Sequence, residues 1–481
     1  MVFSTPFFLF GFLPVVLVVY YCAPGKIKNI VLLTASLVFY AWGEVFYVLI
    51  MIVSILSNYL FGRWVDSWKN NDNSRKKIIL GLGVSINLCL LCTFKYANFA
   101  VGNINYVLGQ VNIDPIILQP VHLPLGISFF TFQAISYLVD VYRKKTSAQR
   151  NILHLALYIS LFPQLIAGPI VRYHQIAKKI IQRTHTISMT ATGIYRFIYG
   201  LSKKMLIANP VGEIADTIFN LPASELSGSI AWAGAICYTL QIYFDFSGYS
   251  DMAIGIGRMF GFKFLENFNY PYISRSLQEF WQRWHISLST WFRDYLYIPL
   301  GGNRVSTGRL YLNLFIVFSL CGLWHGASWN FVIWGLIHGL FLILERSGLS
   351  VLLERLWRPM QHIYTLFVVL VAWVFFRSDT LAAALEYLKT MFGFTRPLVQ
   401  IYTIEYFLST EAILAILFGT MLAMPIYTRL TQKTGASTKS MIFGNLVLCH
   451  CTKFFISLIL LFLSILKISS STYNPFIYFR F

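Results

Sequence analysis

Long apolar runs separated by short basic loops dominate the chain. The first, residues 6–22, has no Lys or Arg before it and is followed by Lys26 and Lys28. A cleavable signal needs a positive start and small residues at its end. Val19, Tyr20 and Tyr21 are bulky, so the run reads as a first span with its N-terminus outside. Residues 30–42 and 45–61 form a hairpin around Glu44. Arg63, Lys69, Arg75, Lys76 and Lys77 then mark an inside loop, because Lys and Arg gather on the cytoplasmic side. Residues 78–94 cross outward, 98–120 carry only Asp114 as a charge, and 123–142 return to Arg143, Lys144, Lys145 and Arg150.

The pattern changes at residues 152–170, where Pro163 and Gly168-Pro169 interrupt an apolar run flanked on both sides by basic residues. A broken or re-entrant helix is predicted, a form tolerated at membrane depth only where protein or a wet cavity surrounds it. Residues 194–219 are ambiguous, with Lys203 and Lys204 in their middle. Residues 230–246 form a clear span, followed by a glycine-rich stretch to 262. In 271–309, Trp281, Trp284, His285, Leu288 and Phe292 recur at three- and four-residue spacing, which predicts an amphipathic helix at the membrane interface. Further spans follow at 310–324, 329–344, 364–376, 406–427 and 454–468, for a total of about 11 or 12.

Composition agrees with the pattern. Of 481 residues, 57% are hydrophobic and 12% charged, against about 25% charged in soluble domains. Such a chain cannot cover a soluble surface, so an all-α polytopic membrane protein is predicted. The net charge of +19 is assigned to cytoplasmic loops, and no nucleic-acid partner is expected. Cys89 and Cys92 lie inside an apolar run, and Cys449-His450-Cys451 has no second pair nearby; both read as packing cysteines. No metal spacing, G-x-S-x-G or P-loop appears.

Ionisable residues at membrane depth are the natural candidates for function. His325 lies in Gly322-Leu-Trp-His-Gly-Ala-Ser-Trp-Asn330, after an apolar run of roughly 22 Å as a helix. That is shorter than the roughly 30 Å hydrocarbon core, so His325 is expected within the membrane, as a proton acceptor or as a hydrogen-bonded structural residue. His285 is the second candidate, with an interfacial anchor as the alternative. Asp245 and Asp251 read as partners of Arg or as helix caps. Arg283, Arg293 and Arg304 anchor the interface or bind a phosphate-bearing donor. The chain ends in an aromatic stretch containing Tyr478, readable as a membrane anchor or as an acyl acceptor that folds back inside.

Leu123-Pro-Leu-Gly-Ile-Ser-Phe-Phe-Thr-Phe-Gln133, Phe162-Pro-Gln-Leu-Ile-Ala-Gly-Pro169, the 278–302 segment and Leu323-Trp-His-Gly326 together resemble the membrane-bound O-acyltransferase (MBOAT) family. The match is to its bacterial polysaccharide branch, which includes alginate O-acetylation subunits and teichoic acid D-alanyl transferases. The resemblance implies a ring of tilted helices around a thin centre, formed by one domain over residues 1–468 with a tail at 469–481. It implies His325 as the catalytic residue, His285 as a second required position and Tyr478 as an acyl relay. It further implies acetyl-CoA or an acyl carrier protein thioester as donor, an exported polysaccharide as acceptor, an esterase-like periplasmic partner and an inner-membrane location. Asn330 and Trp324 are the candidate oxyanion donors. A proton-coupled transporter or flippase, and D-alanyl transfer to teichoic acid, are the rival readings. Paired repeats, the usual mark of a transporter, are not evident.

Overall fold

The computed structural model describes residues 1–67, 73–395, 401–426 and 444–476, with the backbone alone for 444–450. Every regular element among them is helical. Six helices are long and apolar enough to cross a membrane: Val48–Ser67, Asn73–Gln110, Thr307–His325, Trp329–Arg355, Arg358–Arg377 and Cys451–Ser470. Four shorter apolar helices, Phe7–Cys22, Lys28–Ala41, Ile127–Tyr142 and Thr410–Leu422, accompany them. The chain is an all-α polytopic membrane protein. Its helices are apolar on the outside: along Val48–Ser67, Leu49, Val53, Leu56 and Leu60 are exposed while Ser54 and Asn58 are buried. A water-soluble helix shows the reverse.

The chain divides into two compact units. The first comprises Met1–Ile194 and Ala253–Leu265. Its core is the Phe3, Phe8, Phe12, Phe39 and Phe162 ring cluster. Asn58 and Asn87 exchange amide hydrogen bonds of 3.0 and 2.8 Å, satisfying two buried side chains at once. Glu44 is buried in the predicted hairpin, where it accepts from the Leu125 amide at 3.2 Å and faces His122. The predicted break is present: Ile152–Ser160 stops at Leu161, and the short helix Phe162–Leu165 begins with Pro163. Helix Ile127–Tyr142, buried on nearly every face, starts from Gly126 at φ 75°. A Cβ there would lie 2.7 Å from the Leu165 carbonyl oxygen, so glycine is required where the chain meets the broken helix.

Helix Asn73–Gln110 runs well beyond the predicted crossing at 78–94. Its far end is held by two side-chain amides on one helix face. Asn98 and Asn105 each donate to and accept from the extended return chain, at Val121 and Ile116. They provide the backbone pairing that a neighbouring strand would otherwise supply.

The second unit comprises Tyr195–Met252 and Glu266–Phe481. The ambiguous lysines are neutralised here. Lys204 pairs with Asp245 at 2.8 Å, and Lys203 and Arg196 both pair with Asp251, at 2.7 and 2.6 Å. Asp251 thus pairs with an arginine, as read from the sequence, while the partner of Asp245 is a lysine. Gly200 and Gly248 let their helices touch, since a Cβ on either would stand 2.5 to 2.7 Å from the other's carbonyl.

The amphipathic helix predicted across 281–292 is not continuous. Leu277–Arg283 ends at Trp284, which is extended, and Ile286–Phe292 restarts after His285, which is left-handed at φ 43°. His285 is fully buried in protein, so the interfacial-anchor alternative fails. Periodicity alone registered the apolar residues and missed the backbone reversal between them.

Candidate active site

Helices Thr307–His325 and Trp329–Leu344 form a tight hairpin. Glycines permit it: a Cβ on Gly322 would come within 2.2 Å of the Phe331 carbonyl oxygen, and one on Gly335 within 2.2 Å of the Phe318 carbonyl oxygen. His325 is the last residue of the first helix, and the Ser328 hydroxyl caps the second by accepting from the Asn330 amide. The first helix begins at Thr307, so its 19 residues span about 28 Å, close to a full hydrocarbon core. The length argument for a mid-membrane position therefore falls away. Burial takes its place: His325 is 6% exposed and walled by rings. Trp324 and Trp334 lie with centroids at 4.9 Å and Phe376 at 5.1 Å, all nearly perpendicular to the imidazole.

His285 stands one ring away. The Trp324 centroid is 6.0 Å from His285 and 4.9 Å from His325. Asn267 shapes this second site. Its Oδ1 accepts from the Ser287 amide at 3.1 Å, from the Ser287 hydroxyl at 2.9 Å and from His285 Nδ1 at 3.2 Å. An acceptor already holding two donors fixes the proton on His285 Nδ1, which leaves the lone pair on Nε2.

A third histidine, His338, joins the same cluster. The Trp281 indole donates to its Nδ1 at 3.3 Å, which sets the Nε2–H tautomer, and Trp334 packs at 4.9 Å from its ring. Trp334 therefore touches both His325 and His338. Sequence reading did not promote His338, although Trp334 and His338 share one helix face. Four other histidines face polar groups elsewhere, His362 meeting the Ser274 carbonyl at 3.1 Å. His122 faces Glu44, His174 faces Asp140 at 2.6 Å, and His185 meets the Tyr20 hydroxyl at 2.8 Å.

The Asn330 side chain donates one of its two amide hydrogens to the Ser378 carbonyl at 2.6 Å. One sequence expectation needs revision. The three arginines do not converge. Arg283 pairs with Glu279 at 2.9 Å beside one cleft, Arg293 pairs with Asp294 at 2.7 Å beside another, and Arg304 is exposed on a loop. The second of these clefts, about 360 Å³, is lined by Trp281, by Arg293 and Arg346, and by Cys321, one helical turn before His325.

The start of the tail is held inside the second unit. The Tyr473 hydroxyl donates to Asp216 at 2.6 Å, the Asn209 amide donates to the Tyr473 carbonyl at 3.1 Å, and Lys204 donates to the Pro475 carbonyl. Phe476 is 3% exposed, with its ring 4.5 Å from that of Tyr249. Tyr478 lies outside the described residues.

Residues 88–378 match the sequence model of MBOAT, the membrane-bound O-acyltransferase family. Over its whole length the chain is 40% identical to the probable alginate O-acetylase AlgI of Azotobacter vinelandii, which is itself covered in full. It is 46% identical to the protein of the same name from Pseudomonas aeruginosa, across 82% of this chain and 75% of the relative. It is 38% identical to the peptidoglycan O-acetyltransferase of Helicobacter pylori, across 82% of this chain and 80% of the relative.

Proposed function

Since the chain belongs to the membrane-bound O-acyltransferase family and is a multi-pass membrane O-acyltransferase, we propose that it moves acetyl groups from a cytoplasmic thioester toward an exported polysaccharide. Its place is the bacterial inner membrane, where a cytoplasmic donor and an exported polymer are both within reach. The observation that carries this reading is His325, fixed at a glycine-locked helix turn, boxed by three rings, with His285 one ring away.

In the proposed step an imidazole nitrogen of His325 takes the proton of an acceptor hydroxyl. The oxygen attacks the thioester carbonyl, the tetrahedral adduct expels thiolate, and the imidazolium returns the proton to sulfur. The products are an ester and a free thiol. The aromatic walls exclude water that would otherwise hydrolyse the acyl group. His285, with its Nε2 lone pair set by Asn267, holds the hydroxyl or passes its proton on. The donor is acetyl-CoA or an acyl carrier protein, approaching by the cleft of Arg293 and Arg346, whose lining includes Cys321. Arg283 lies on the other cleft and is withdrawn from the donor's phosphates.

The first acceptor in this proposal is Tyr478. The docking of Tyr473, Pro475 and Phe476 inside the second unit supports a tail that folds inward instead of resting on lipid. An esterase-like periplasmic partner then takes the acetyl group to the polymer. The test is mass spectrometry of cell-surface polymer from wild-type and deletion strains. Loss of O-acetyl groups on deletion is expected. Unchanged acetylation overturns the proposal, and loss of D-alanyl esters in its place assigns the protein to teichoic acid modification.

A further inference from the structure

A cleft of about 710 Å³ in the second unit is separate in its lining from the histidine cluster: neither His285 nor His325 is among its lining residues. One wall is a single ridge of helix Arg358–Arg377. Arg358, His362, Leu366 and Leu370 follow one another at four-residue intervals, so the ridge is polar for its first turn and apolar beyond. Ile236 and Leu240 continue the apolar wall from helix Gly228–Met259. Arg275 joins Arg358 at the polar end, where the neighbouring Ser274 carbonyl accepts from His362 at 3.1 Å, and Arg283 lies further along the lining.

The charges at that end do not cancel. Glu279 is the carboxylate in the lining, and it serves both Arg275 and Arg283. Among the described residues no carboxylate pairs with Arg358.

The dimensions match one leaflet. From Arg358 to Leu370 the ridge rises about 18 Å, against roughly 15 Å for half of the hydrocarbon core. Trp357, 75% exposed just before the helix, marks the interfacial level at the charged end. By the charge rule that end faces the cytoplasm, where anionic lipids are drawn to basic pockets between helices.

We propose that this cleft binds one anionic glycerophospholipid, with its headgroup phosphate between Arg275 and Arg358 and an acyl chain along Leu366 and Leu370. The thioester donor fits the cleft poorly. Its phosphates would suit the arginines, but its amide-bearing arm would then lie along the apolar ridge of Leu366 and Leu370.

The experiment is native mass spectrometry of the full-length protein in detergent, titrated with phosphatidylglycerol or phosphatidylcholine. The wild type should retain one phosphatidylglycerol at least tenfold more tightly than phosphatidylcholine. Arg358→Glu should lose that preference, while Arg304→Gln, on an exposed loop outside the cleft, should keep it. Equal retention by wild type and Arg358→Glu overturns the proposal. Displacement of the bound lipid by acetyl-CoA does so too, because the cleft would then be the donor's. Survival of the preference in acetyl-CoA, with its loss in Arg358→Glu, supports it.

Discussion

His285 holds a left-handed backbone at φ 43° while fully buried, a conformation that costs a non-glycine residue about 1–3 kcal/mol. A glycine would relieve that cost, so retaining histidine here points to a use for its imidazole. The Asn267 acceptor that orients the ring gives the use a direction, toward Nε2. His285→Ala and His285→Phe are both expected to lower polymer acetylation by at least 10²-fold, the scale of a lost acid–base group. Acetylation in cells carrying equal amounts of each protein measures it, and near-normal activity in the phenylalanine variant would reduce the residue to packing. His325 and His285 were legible in the sequence because a polar residue in apolar surroundings is a one-dimensional signal. His338 carried the same signal, but its contact with Trp281, 57 residues earlier, shows only in the fold, and Asn267 gave no signal because its partners His285 and Ser287 lie further along the chain.

At the level of elements, hydropathy located helices well where the membrane set their limits. The Val48–Ser67 and Thr410–Leu422 helices fall within or close to predicted runs, and the break at Pro163 appears as expected. It failed where a helix leaves that environment. Asn73–Gln110 continues past residue 94 because asparagine brackets, not lipid, stabilise its end. Lys203 and Lys204 blurred a helix whose paired aspartates, Asp251 and Asp245, lie more than forty residues on. The broken segment Ile152–Ser160 and Phe162–Leu165 carries the topology prediction. If it turns back inside the protein, the loops before and after it face the cytoplasm. Cysteines introduced at Lys145 and Lys179 should then be labelled from the same side by a membrane-impermeant maleimide. Labelling from opposite sides would make the segment a full crossing.

For the molecule as a whole, a composition 57% hydrophobic and only 12% charged announced a membrane protein, and the helical fold with its apolar exterior agrees. What the sequence could not assign was the use of each basic residue. The structure divides them among buried ion pairs at Asp245 and Asp251, the cleft near Cys321 and the lipid-length cleft at Arg358. It also carries the aromatic tail inward as far as Phe476. Tyr478→Phe removes one hydroxyl and almost no apolar surface. If the tail is a relay, polymer acetylation should fall to background in that variant with protein abundance unchanged. Wild-type acetylation would leave the tail as a structural strap. The account as a whole rests on His325. The most direct measurement is the acetyl content of surface polymer from cells producing His325→Ala at the wild-type level in the membrane. Loss of acetylation by 10² to 10⁴-fold is the result expected for a lost general base; full acetylation by a normally inserted His325→Ala protein would contradict it.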